Sequence, residues 1–387
     1  MTDLETRAAP PRAGALRRAA PALAGYAVVR ALGLLALFLW SAARDKSAYT
    51  LLTARWDALW YVRVAELGYG YEVRLSNGDV HSNLAFFPLL PWLERLVAAG
   101  SPLSYADGGF LVSLFASFAA AWGIFAVADH VYDRRAGVCA VLLWAVLPVG
   151  IVQSMAYSES LFTALAAWSL YAVLTGRWVT AGALALFAGL TRPVGLAVVA
   201  AVWVAAVASF VREPDTPIAP GPRARRVLGM LLAPLGTAGY VLWVGHRTGK
   251  GPLGYLDVQA GWRNGFDGGY AFARFIAEKF TSFPSAPVGV GLILGVASVV
   301  WLYVAGARQR QPLPLLVYTG VVTALALCAS SYFGSKPRLL LPAFPLLLPL
   351  ALALTRARIR RSAAVLGSLA VASAVYGAFW LNGSGPP

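Results

Sequence analysis

Apolar runs of about twenty residues, the length that carries an α-helix across a hydrocarbon core, recur along this chain from near the N-terminus to the C-terminus. Inside a bilayer every backbone N–H and C=O must be bonded within the protein, so lipid-facing segments of this kind are restricted to helices. With 59% hydrophobic residues against 13% charged among 387, a water-soluble core cannot absorb the sequence. The expected fold class is an all-α polytopic membrane protein. Cys139 and Cys328 both fall in apolar spans, and neither a disulfide framework nor a metal-ligand spacing appears.

The first apolar stretch, Pro21 to Ala43, is longer than the roughly 7–15 residue core of a cleavable signal and reads as a retained signal anchor. Residues 1–20, rich in Ala, Pro and Arg, are expected to form a disordered cytoplasmic tail, and 21–387 a single membrane domain. Further spans are expected near 108–128, 136–152, 159–175, 178–192, 193–211, 226–246, 286–305, 313–331, 338–355 and 362–381, which makes about eleven transmembrane helices. The shortest, 178–192, reads as tilted, broken or re-entrant.

A net charge of +15 would suggest nucleic acid in a soluble domain, but here the arginines sit in short connectors, where they act as a topology signal. With a cytoplasmic N-terminus, the clusters Arg17–Arg18, Arg134–Arg135, Arg177, Arg223–Arg226, Arg308–Arg310 and Arg356–Arg361 all face the cytoplasm under an eleven-span count. No nucleic-acid partner is indicated. The extracytoplasmic face then receives the first loop, about 44–106, with Asp57, Glu66, Glu72, Asp79 and His81. It also receives the turn Gln153 to Glu159, Arg192, the loop 247–284, and Ser331 to Arg338. Within the first loop, residues 50–67 carry the pattern of an interfacial helix, and Leu84 to Ala99 that of an interfacial or re-entrant one.

Several of these side chains are suited to chemistry. Asp57 could take the proton of an acceptor hydroxyl as general base, or serve as a helix N-terminal charge or partner of Arg55 or Arg63. Glu159 could face a cavity or favour the start of its helix. Arg192, Lys336 and Arg338 are cations near membrane depth, a costly placement unless they snorkel or meet an anion. A lipid phosphate suits them, since guanidinium offers a fork and ammonium a point charge. Trp56, Glu72, His81 and Trp262 join Glu159 as candidates for a substrate pocket, although an interfacial aromatic belt accounts for the tryptophans equally well. Arg30, within the first span, is expected to snorkel toward the cytoplasm. No cofactor is implied, and a divalent cation on the outer-loop carboxylates is the one metal arrangement left open.

In order along the chain stand Arg55-Trp56-Asp57-Ala58 through Gly68-Tyr69, Phe86-Phe87-Pro88-Leu89-Leu90-Pro91, Tyr157-Ser158-Glu159-Ser160, Thr191-Arg192-Pro193-Val194-Gly195 and Pro337-Arg338-Leu339-Leu340-Leu341-Pro342. This series resembles the pattern of the PIG-V-like mannosyltransferases, which include the second mannosyltransferase of GPI-anchor assembly and bacterial relatives. The resemblance implies a C-type glycosyltransferase fold in which an inverting enzyme moves a hexose from a polyprenyl-phosphate donor to a hydroxyl acceptor on the extracytoplasmic face. It implies that the aspartate matching Asp57 is the catalytic base, and that the protein lies among the lipids of a bacterial plasma membrane. Leu59-Trp60 stands where eukaryotic members often carry His, and Arg338-Leu339 where they often carry Arg-Tyr, so neither family contact transfers. The alternative is a transporter or flippase of a lipid-linked sugar, which would also need outer cations. Transporters commonly show inverted repeats and midplane sites, whereas the ionisable residues here gather on one face.

Overall fold

The computed structural model describes residues 12–212, 220–383 and 385. It is an integral multi-pass helical membrane protein: among the described residues six helices are long and apolar enough to cross a bilayer, and a bent pair, Phe333–Leu339 with Phe344–Arg356, makes a seventh. The six include Tyr105–Val131, Pro193–Arg212, Phe283–Arg308 and Ile359–Leu381. The count of about eleven crossings expected from sequence is not confirmed, since length and apolarity alone mark six or seven among the described residues. Ser158–Leu174, Trp178–Gly189 and Leu313–Cys328 are apolar but shorter, and the expected span 136–152 is a helix only over Arg134–Ala145. At a rise of about 1.5 Å per residue the two 12-residue helices stop short of a full crossing, whereas Ser158–Leu174, with 17 residues, is at the lower limit of one. Hydropathy counts apolar residues and is blind to where the backbone leaves the helix.

The first helix runs Arg12–Ala42, so residues 12–20 of the expected tail are helical, and residues 1–11 lie outside the described residues. Its Arg18 forms a bidentate pair with Asp129 near the end of Tyr105–Val131, with Nε at 3.0 Å from Oδ2. Arg30 does not snorkel. It is buried, and its two terminal nitrogens donate to the carbonyls of Ala145 and Gly150, where Arg134–Ala145 ends. A cation at a helix C-terminus meets the negative end of the dipole, and bonding the freed carbonyls is what lets a helix stop inside a bilayer. The break continues through a 3-10 turn, Gly150–Ser154, and ends where Ser158–Leu174 begins.

The core lies between Arg12–Ala42, Tyr105–Val131, Arg134–Ala145 and Ser158–Leu174. Tyr26 stacks on Trp144 at 5.6 Å and meets Phe118 edge-on at 5.2 Å, while the Trp144 indole donates to Leu341 O at 3.0 Å. Lipid tails are as apolar as leucine, so helix association rests on close packing, which small residues permit. Trp178–Gly189 and Pro220–Leu232 approach backbone to backbone: a Cβ on Gly182 would strike the carbonyl of Gly229. Gly182→Ala is therefore expected to cost about 1–3 kcal/mol through overpacking. Denaturation of the purified variant in detergent measures this, and wild-type stability would mean the two helices are not held in contact.

At the Asp57 end, the expected helix 50–67 is divided into Ala48–Thr53 and Asp57–Leu67, and the latter packs against Leu89–Ala99. Arg95 donates to the carbonyls of Ala65 and Val64 and so closes the C-terminus of Asp57–Leu67. Its neighbour Glu94 turns inward instead, wholly buried against Gly109. Burial pushes the Glu94 carboxyl well above the usual carboxylate range, which favours the neutral acid. Between the helices a hairpin pairs Glu72–Arg74 with Val80–Ser82, Val73 opposite His81.

Candidate functional site

Four ionisable side chains meet where four helices start or stop. Asp57 is the first residue of Asp57–Leu67, and Glu159 the second of Ser158–Leu174. Arg192 precedes the 3-10 turn Pro193–Gly195, and Arg338 lies in the one-turn helix Lys336–Leu339. Non-helical backbone at membrane depth is tolerated where protein or a cavity covers it, so short helices are what allow charges to converge below the surface.

Arg338 is the hub. Its Nη1 stands 2.9 Å from Asp57 Oδ2, its Nε 3.3 Å from Glu159 Oε1, and its guanidinium lies 5.1 Å from the centre of the Tyr157 ring. Arg192 pairs with the same Glu159 Oε1 and donates to Ser158 Oγ at 3.3 Å. Ser158 Oγ is also 2.7 Å from the hydroxyl of Tyr61, one turn beyond Asp57. The side chains of Glu159 and Arg338 are 1% and 9% exposed, while that of Asp57 is 28% exposed. Asp57 is the member of the ion-paired group with the most open face. Two carboxylates and two guanidiniums balance, as burial demands of charges held out of water.

Asp57 is aimed by a strained residue. Trp56 sits at φ 51°, ψ −124°, a region that bulky side chains rarely adopt. Such a backbone costs on the order of 1–3 kcal/mol and persists where its surroundings hold it. Here the Arg55 guanidinium lies 4.1 Å over the Trp56 indole, and Trp56 packs against the core.

Lys336, expected beside the arginines, is directed elsewhere. Its Nζ donates to Ala326 O at 2.8 Å and Ala329 O at 2.6 Å, with Leu327 O at 3.4 Å and the Phe272 ring centre at 4.8 Å. Those carbonyls are orphaned by the end of Leu313–Cys328, and an ammonium with three protons satisfies them. It anchors the segment that presents Arg338.

The aromatic candidates form a wall next to this group. Trp60, on the same helix as Asp57, meets Trp262 edge-on at 4.8 Å, and His81 stacks on that indole at 4.0 Å. Trp262 Nε1 donates to Ser82 O at 3.0 Å, and a few residues on Gly265–Phe266 pairs with Ala329–Ser330, just before Arg338. The loop carrying Trp262 thus ties the hairpin to the Arg338 segment. Glu72 is exposed on the hairpin and is not one of the four ion-paired residues. Among the described residues no three His, Cys, Asp or Glu side chains group as a metal site. Sequence reasoning had no role for Tyr61, and Tyr157 entered only within a motif; the one signal was position, four residues after Asp57 and two before Glu159.

Burial holds the His81 imidazole below its ordinary value, with Arg263 acting the same way and Asp79 against it. The folded chain therefore binds this proton less readily than the unfolded chain. Stability contributed through the His81–Trp262 stack is then lost as pH falls from about 6.5 through the lower folded value. Protection of residues 72–82 against hydrogen exchange, corrected for the intrinsic rate at each pH, should be lower at pH 5 than at pH 7, and His81→Phe should flatten the difference. Identical protection at both pH values in the wild type would contradict this account.

Comparison with known proteins agrees with the geometry. Residues 36–214, which hold Asp57, Glu159 and Arg192, match the family model described as Mannosyltransferase (PIG-V). No curated protein matches in sequence. Among solved structures, ArnT from Cupriavidus metallidurans bound to undecaprenyl phosphate is similar at TM-score 0.53 and 16% identity, over 88% of this chain and 61% of that one. The archaeal oligosaccharyltransferase AglB from Archaeoglobus fulgidus, in complex with an inhibitory peptide and a dolichol-phosphate, is similar at TM-score 0.50 and 13% identity, over 94% and 56%. The chain thus spans about three fifths of the length of these proteins. The shared fold is the C-type glycosyltransferase fold expected from sequence, and residues 36–214, somewhat less than half of the chain, are similar to the PIG-V mannosyltransferase family.

Proposed function

We propose that this protein is an inverting glycosyltransferase that moves a hexose, mannose by its similarity to the matched family, from a polyprenyl-phosphate donor to a hydroxyl acceptor. The observation that carries the reading is the buried Asp57–Arg338–Glu159–Arg192 group, in which a partly open carboxylate stands beside two guanidiniums. The family similarity of residues 36–214 supports the sugar, and the ligands named for ArnT and AglB support the polyprenyl carrier.

Asp57 accepts the proton of the acceptor hydroxyl as that oxygen attacks the anomeric carbon. The bond from that carbon to the phosphate oxygen breaks, and its electron pair stays with the phosphate. Charge grows on the departing group, and Arg338 and Arg192 offset it more strongly in the transition state than in the ground state. Glu159 holds both guanidiniums in place. Lys336, with its protons committed to carbonyls, is outside this role. No nucleotide-binding loop is required, because the sugar arrives on a lipid. The site would lie on the extracytoplasmic face of a bacterial plasma membrane, as the family resemblance implies, with the N-terminus in the cytoplasm.

The test is a transfer assay with purified protein and labelled polyprenyl-phosphate mannose, scoring release of polyprenyl phosphate. Release dependent on added hydroxyl acceptors is expected. Movement of intact donor between leaflets without release would favour a flippase instead.

A further inference from the structure

We infer that the Asp57–Arg338 ion pair is a latch operated by the donor: its phosphate takes the guanidinium and frees the carboxylate for the acceptor, so donor binds before acceptor. The inference rests on the function proposed above and adds an order of binding and a form of self-inhibition to it.

Three observations lead there. First, Arg338 Nη1 stands 2.9 Å from Asp57 Oδ2 as an ion pair, so the guanidinium fills the approach to that oxygen that an acceptor hydroxyl would use. The contact that aligns the base also crowds that oxygen. Second, Arg338 has anchors that remain when Nη1 lets go, namely Glu159 at 3.3 Å from Nε and the Tyr157 ring beneath. Release of Asp57 leaves the guanidinium in position, pivoting on its other edge. Third, the charges fit the exchange. The four groups sum to zero, and without Asp57 the remaining three sum to +1, the charge that one phosphodiester balances. Asp57 is also the member best placed to leave, because its side chain is 28% exposed against 1% for Glu159. The two carboxylates therefore act differently, since Glu159 stays on the cations while Asp57 exchanges with the lipid phosphate.

The latch has a consequence opposite to that of a purely structural pair. If Asp57 competes with phosphate for Arg338, removing its charge strengthens phosphate binding; if it merely holds Arg338 in place, removing it weakens binding. Undecaprenyl phosphate is the probe, titrated onto the purified full chain in lipid nanodiscs. Asp57→Asn is expected to bind it about tenfold more tightly than wild type, the gain when a closed form populated on the order of 90% is removed from the equilibrium. Arg338→Gln should bind it more weakly than either. Equal or weaker binding by Asp57→Asn overturns the latch. Asp57→Ser repeats the comparison if the Asn variant does not fold. Collapse of both would also overturn it, since a carboxylate whose loss unfolds the protein cannot be released in every turnover. The function stands or falls separately: wild type that releases no polyprenyl phosphate from its mannosyl donor defeats the transferase reading whatever the affinities. Active wild type with an Asp57→Asn variant of unchanged affinity defeats the latch alone.

Discussion

Replacing Arg338 with alanine is expected to destabilise the protein by about 3–5 kcal/mol, the cost of leaving buried charge without its partner. Arg338 stands between two carboxylates, and its removal takes the nearest cation from Asp57 and one of two from Glu159. Arg192 can balance only one of them. The loss should be reduced in Arg338→Met combined with Asp57→Asn, where one cation and one anion disappear together, and contacting groups are where additivity fails. Denaturation in detergent of the single and double variants measures both effects. A loss below about 1 kcal/mol for Arg338→Ala, the range of solvent-exposed ion pairs, would mean that water reaches the group freely and that the balance of charge described above is not what holds it.

The second large effect is on turnover. Asp57→Asn should lower transfer by about 10²–10⁴-fold, the usual contribution of a positioned general base, without any loss of polyprenyl-phosphate binding. The amide keeps the shape of the carboxylate and cannot take the hydroxyl proton. Glu159→Gln should instead weaken donor binding along with turnover, because it loosens both guanidiniums at once. A rate for Asp57→Asn within tenfold of wild type would remove Asp57 from the reaction and leave the ion pair as a structural contact.

The residues of the charged group were legible in the sequence because ionisable side chains are expensive beside apolar spans and therefore few. Asp57, Glu159, Arg192 and Arg338 all stood out on that ground. What was not legible is direction. Lys336 is two residues from Arg338 and carries the same charge, but whether its ammonium meets a phosphate or three carbonyls depends on where Leu313–Cys328 stops. Arg30 shows the same limit: its carbonyl partners are at Ala145 and Gly150, more than a hundred residues away. The short helices have a related cause, since a helix such as Arg134–Ala145 ends within a run that stays apolar. The strain at Trp56 left no trace, because a tryptophan gives no hint of a positive φ.

The loop through Trp262 is fastened twice, by its indole to Ser82 and by Phe266 to Ala329. A strap attached to both banks of a site removes a degree of freedom: the wall behind Asp57 and the segment bearing Arg338 cannot separate independently. Mechanical slack inserted between Trp262 and Gly265 would let each bank drift alone, so the distance between base and cation would be set by chance encounters instead of by the backbone.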